Sequence, residues 1–97
     1  MDDIRAQIES KREEILSVAK LHGALNLRIF GSVVRGEASG TSDIDFLVTF
    51  EAERSLFDMI GLKQDLEQML DRNVDIVTNE SLHWYIREQV LNEAVPL

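Results

Sequence analysis

Asp43-Ile44-Asp45, at the head of the apolar run Phe46-Leu47-Val48, sets two carboxylates two residues apart. Side chains alternate faces along a strand, so these two point the same way and can converge on one small patch. Such a patch invites a divalent cation. Upstream, Leu27-Arg28-Ile29-Phe30 reads as a strand that breaks at Gly31 into Ser32, with ten residues between Ser32 and Asp43. Serine is a favoured helix N-cap type, so backbone amides point outward there and can hold phosphate. A phosphate cradle one short connection from a paired-carboxylate metal site is what nucleotidyl transfer requires.

A third acid stands in Asn73-Val74-Asp75-Ile76-Val77-Thr78, where Val74 and Ile76 face a core and Asp75 the other way. If that strand lies beside the second, Asp75 joins Asp43 and Asp45. Three crowded carboxylates repel one another until cations neutralise them. Magnesium suits them, taking oxygen ligands at about 2.0 to 2.1 Å, keeping several waters and bridging carboxylates to phosphates. Each residue also has a plain structural reading. Asp43 alone fits a turn residue, Gly31 a turn glycine and Ser32 a cap. Asp45 and Asp75 are harder to explain away, because Asp is disfavoured inside strands and local rules tend to break at functional sites. Arg35, one turn after Ser32, suits phosphate, with a surface salt bridge as its alternative.

The elements that must position these residues follow from periodicity. Ile4, Ile8, Ile15, Val18 and Ala19 recur at helical spacing after Asp2-Asp3, with Gly23 as the stop. After the strand ending at Phe30 comes a short segment, 32 to 38, with Val33 and Val34 packing inward, then the loop Ala38-Ser39-Gly40-Thr41-Ser42. The second strand runs over 43–50. Ser55 opens a helix whose stripe is Leu56, Met59, Ile60, Leu66, Met69 and Leu70, with Gly61 weakening it. The strand at 73–78 precedes a last helix over 82–94 carrying Trp84, Tyr85, Ile86, Val90 and Leu91. The order is αβαβαβα, an α/β (α+β) chain with one domain over 1–97.

Composition narrows the classes. Ninety-seven residues bury roughly two thirds of their unfolded surface around a single core. With no cysteine there is no disulfide framework or thiolate zinc site, and His22 and His83 are too isolated to suggest one. No apolar run approaches the ~18 residues needed to span a membrane, and the first residues lack the pattern of a signal peptide, so the expected location is cytoplasmic. A formal net charge of −8 with scattered basic residues argues against direct nucleic-acid binding and for a small substrate or a basic protein partner, the plain alternative being solubility.

Gly31-Ser32-Val33-Val34-Arg35-Gly36, followed by Ser42-Asp43-Ile44-Asp45-Phe46-Leu47-Val48, resembles the minimal nucleotidyltransferases of the DNA polymerase beta superfamily. The Gly-Ser step, ten-residue gap and Asp-x-Asp match without an insertion, although Val33-Val34 replaces the usual alanine. The resemblance covers nearly the whole chain. It implies a three-stranded mixed sheet flanked by helices, two magnesium ions bound by Asp43 and Asp45, and Asp75 completing the site near the attacking hydroxyl. It also implies that Gly31 and Ser32 hold the triphosphate of ATP.

Free-standing chains of this length resemble the antitoxins of HEPN/MNT toxin–antitoxin pairs, some of which transfer AMP from ATP to a tyrosine of a HEPN ribonuclease toxin. On that resemblance the chain is a magnesium-dependent protein adenylyltransferase working in a hetero-oligomer with its toxin. Two alternatives are a non-catalytic antitoxin that acts by binding, and a nucleotidyltransferase for a small-molecule hydroxyl. A manganese glycosyltransferase would need a larger nucleotide-binding domain than this chain provides.

Overall fold

The computed structural model describes residues 4–38 and 43–97. Three runs rich in aliphatic residues form strands, β1 (Ala24–Phe30), β2 (Ile44–Phe50) and β3 (Val74–Thr78), and a two-residue strand, β4 (Val95–Pro96), joins them. The order across the sheet is β3-β2-β1-β4. β1 runs antiparallel to both β2 and β4, while β3 runs parallel to β2, so the sheet is mixed. It has four strands rather than the expected three, because Val95 and Pro96 pair with Ile29 and Arg28 on the open edge of β1. Two residues are too few to leave a period in the sequence, and proline is tolerated in a sheet at an edge of this kind.

Alternation along β2 divides the sheet into two faces. Ile44, Phe46 and Val48 are fully buried in the main core, together with Leu27 and Ile29 of β1 and Val74 of β3. Helices α1 (Ile4–Ser10), α2 (Arg12–Leu21) and α4 (Leu56–Leu70) supply Ile8, Ile15, Ala19, Leu62, Leu66 and Leu70 to that core. The single first helix expected from the spacing is broken at Lys11, which lies outside helical geometry at ψ 13°. The break is fastened to the far end of α4: Lys11 Nζ donates to the Met69 carbonyl at 2.6 Å and Gln7 Nε2 to the Leu70 carbonyl at 3.0 Å. The proposed start of the first helix at Asp2-Asp3, and residues 39 to 42 of the small-residue loop, lie outside the described residues.

α4 begins at Ser55 as its sequence dictates. The Ser55 hydroxyl accepts from the Phe57 amide at 3.2 Å while Asp58 accepts from the Ser55 amide at 3.0 Å, a reciprocal capping box. Its buried stripe is Leu62, Leu66 and Leu70 at a strict four-residue repeat, not the broader set read from the sequence, since Leu56 and Ile60 are exposed. Gly61 has a packing reason: a Cβ there would meet the His22 ring, whose Nε2 is 2.6 Å from Asp65. The remaining helices are α3 (Ser32–Arg35) and α5 (Trp84–Glu93), the latter entered through a 3₁₀ turn at Asn79–Ser81.

Candidate active site

The carboxylates meet at the end of the sheet where β2 and β3 begin. Parallel pairing sets Asp45 directly opposite Asp75, and antiparallel pairing sets Phe30, the last residue of β1, opposite Asp45. The strand parity that buries Ile44 and Phe46 sends Asp45 to the opposite face, where it is half-buried beside the exposed Asp75. Asp43, just ahead of β2, is exposed and close enough to act on Asp45 through its charge. The structure therefore sets Asp45 beside Asp75, with Asp43 just ahead of the strand and acting on Asp45 through its charge.

Their crowding shows in the protonation of the middle one. Burial pushes the Asp45 carboxyl up to about 6, with the negative charges of Asp75 and Asp43 adding to the rise and Arg35 opposing it. Among the described residues, no three carboxylate or histidine side chains stand close enough together to hold a metal ion unaided. Asp45 and Asp75 are nonetheless hard oxygen donors on neighbouring strands, their repulsion relieved by a cation. That donor set fits an ion whose shell is completed by water and phosphate, the way magnesium is usually held.

The turn after β1 lies against Asp45. Gly31 takes φ 83° and ψ −150°, a conformation that side-chain-bearing residues rarely adopt, and a Cβ there would collide with Asp45 Oδ2. The N-cap of α3 is thus Gly31 and not Ser32, which is the first helical residue. Ser32 remains next to the turn, and its carbonyl accepts from the Glu37 amide at 2.8 Å. Arg35, at the end of α3, is held by two carboxylates: Nε donates to Glu37 at 2.9 Å and Nη1 to Glu93 at 2.8 Å. The salt-bridge alternative for Arg35 is therefore realised, at a place from which its charge still reaches Asp45.

Glu93 is the residue that the sequence reading missed. From the last position of α5 its carboxylate accepts from the Gly31 amide at 2.9 Å as well as from Arg35. Burial works to raise its pKa, but the bonds from Arg35 and Gly31 prevail and hold it below the ordinary range. One local signal existed. An acid in the last turn of a helix opposes the macrodipole, so its presence there calls for a partner elsewhere.

A strand-turn-helix step lying against a carboxylate on one neighbouring strand, with a second carboxylate on the next, is the geometry that the sequence motif demands. The nucleotidyltransferase domain family matches residues 8–97, nearly all of this chain. The chain belongs to that family. Among its relatives, the protein adenylyltransferase MntA of Thermococcus cleftensis is 42% identical over 91 residues, covering 86% of this chain and 92% of the relative. A solved structure assigned to a minimal nucleotidyltransferase is 48% identical, superposes with a TM-score of 0.87, and covers all of this chain and 97% of the other. A chain in a crystal structure of the toxin–antitoxin pair MntA–HpeT is 25% identical, with a TM-score of 0.71 over 89% of this chain and 70% of that one. As a nucleotidyltransferase the chain has a mixed four-stranded sheet whose fourth strand is Val95-Pro96. None of its described helices is long and apolar enough to cross a membrane.

Proposed function

We propose that this nucleotidyltransferase is an antitoxin that moves AMP from ATP to a tyrosine hydroxyl of a HEPN ribonuclease toxin, silencing it. The observation that carries the reading is the Asp45–Asp75 register, with Gly31 packed against Asp45. The MntA relative is named a protein adenylyltransferase, and the MntA–HpeT neighbour is a toxin–antitoxin pair, which supports a protein acceptor.

In this reading Asp43, Asp45 and Asp75 would hold two magnesium ions, which when bound would neutralise the charge of the phosphates. Gly31 and Ser32 present backbone and hydroxyl donors to the triphosphate, and Arg35 offers a guanidinium suited to bidentate phosphate contact. The acceptor oxygen forms a bond to the α-phosphorus as the bond to the bridging oxygen breaks and pyrophosphate departs. The hydroxyl proton goes to Asp75, the most open of the strand carboxylates. Asp45 would have to be ionised to act as a ligand.

Intact-mass spectrometry on the toxin after incubation with the chain, ATP and magnesium tests the proposal. Addition of AMP to a toxin tyrosine is expected. A toxin neutralised with unchanged mass, by wild type and by the Asp43→Asn/Asp45→Asn variant alike, would leave binding as the whole activity.

A further inference from the structure

We propose that the pole of the sheet opposite the carboxylates is a docking surface for a protein partner whose contact face is apolar and edged with basic side chains. The register defines the two poles. Phe30, Asp45 and Asp75 pair at one end, while Ala24 pairs with Phe50 and Val48 with Thr78 towards the other. Every exposed large apolar side chain among the described residues belongs to the second end: Leu21, Leu25, Leu56, Phe57, Ile60, Trp84 and Tyr85.

Connectivity puts them there. Leu21 and Leu25 flank the start of β1, α4 starts shortly after β2 ends, and α5 starts shortly after β3 ends. The His22 ring lies against Gly61 and the Arg54 side chain against Gly23, so the end of α2 sits beside the first turns of α4. On α5, Glu93 is fastened to Gly31 at the carboxylate pole. At a rise of 1.5 Å per residue, Trp84 begins the same helix about 13 Å away.

Single exposed apolar residues are ordinary, but this is not scatter. Trp84 is 85% exposed and Phe57 83%, and the Trp84 ring meets Tyr85 edge-on at 5.9 Å, an exposed aromatic pair of residue types that anchor interfaces. Charge selects the occupant. Glu51, Glu53, Glu80 and Glu88 are exposed on these elements and outnumber the cations there, of which Lys20 is exposed, Arg54 is engaged by Glu51 and Asp58, and Arg87 donates to the Asn79 carbonyl. Two copies of a chain with net charge −8 repel across such a face, whereas a basic partner is drawn to it.

A partner seated here leaves the carboxylates open to ATP and to the acceptor, so holding and modification use separate surfaces. That consequence rests on the reading of the chain as an enzyme acting on a protein partner. The experiment pairs the chain with the protein encoded by the adjoining reading frame and follows complex formation by analytical ultracentrifugation. Phe57→Ser/Trp84→Ser alters side chains already in solvent, so it should melt with wild type and bind ATP normally while binding that protein at least about tenfold more weakly. Asp45→Asn should bind it as wild type does, and added salt should weaken the wild-type complex.

Equal binding by the Phe57→Ser/Trp84→Ser variant, or no binding by wild type, overturns the proposal. So does a wild-type self-dimer that the variant abolishes, which would make a second copy the occupant. The enzymatic reading fails separately: a pole-dependent complex with no AMP added to the partner keeps the docking surface and removes the transfer, and full transfer with a pole-independent complex does the reverse.

Discussion

The Glu93 carboxylate accepts a hydrogen bond from the Gly31 amide at 2.9 Å, joining residues 62 apart in sequence at the mouth of the site. The same carboxylate engages Arg35, so one anion occupies two of the groups proposed for the triphosphate. ATP must therefore displace Glu93 or share its donors.

Glu93→Gln removes that charge and keeps the shape, and is expected to tighten ATP binding about threefold to tenfold in calorimetric titration, since neutral acceptors bond guanidinium and amide more weakly than carboxylates. Weaker binding by the variant would make Glu93 a brace for Arg35 and not a competitor of phosphate.

Asp45→Asn should leave the metal-free protein as stable as wild type or more so at pH 7. The Asp45 carboxyl titrates near 6 in the fold and near 3.8 when unfolded, so the folded state holds the proton more tightly. Stability contributed at this site is consequently highest at low pH and falls as pH rises from about 4 to about 6. Melting curves in chelator should show the variant ahead by on the order of 1 kcal/mol at pH 7, after discounting for solvent screening, with the gap closing towards pH 4. A large loss at pH 7 would make Asp45 a structural residue.

Gly31→Ala should destabilise by roughly 1 to 3 kcal/mol, from the positive φ and from the collision of its Cβ with Asp45. Ser55→Ala, at the opposite pole, should cost about 1 kcal/mol through the lost capping box while leaving ATP affinity unchanged. Chemical denaturation alongside ATP titration separates the two; equal ATP affinity for Gly31→Ala and wild type would take the turn out of the nucleotide site.

Much of this arrangement was legible in the chain because strand parity is a local rule. Val74 and Ile76 flanking Asp75, and Ile44 and Phe46 flanking Asp45, fix which way each acid points before any pairing is known. The adjacency of β2 and β3 needed only the short helical crossover between them. What escaped was set by distant contacts. Lys11 breaks a continuous helical period because its side chain and that of Gln7 bond to the end of α4. Val95-Pro96 becomes a strand only by meeting the edge of β1, and Glu93 becomes part of the site only because α5 ends beside Gly31. The helical period of Leu56 and Ile60 registers a face but not whether anything covers it, and both are exposed.

Transfer of label from α-phosphate-labelled ATP to the proposed toxin partner, compared between wild type and Asp45→Asn, tests the central claim most directly. The account predicts rapid labelling by wild type and a loss of at least about a thousandfold in the variant, with its melting temperature undiminished, because removal of a charge that organises the transferring phosphate raises the barrier without harming the fold. Labelling by Asp45→Asn at the wild-type rate would contradict it.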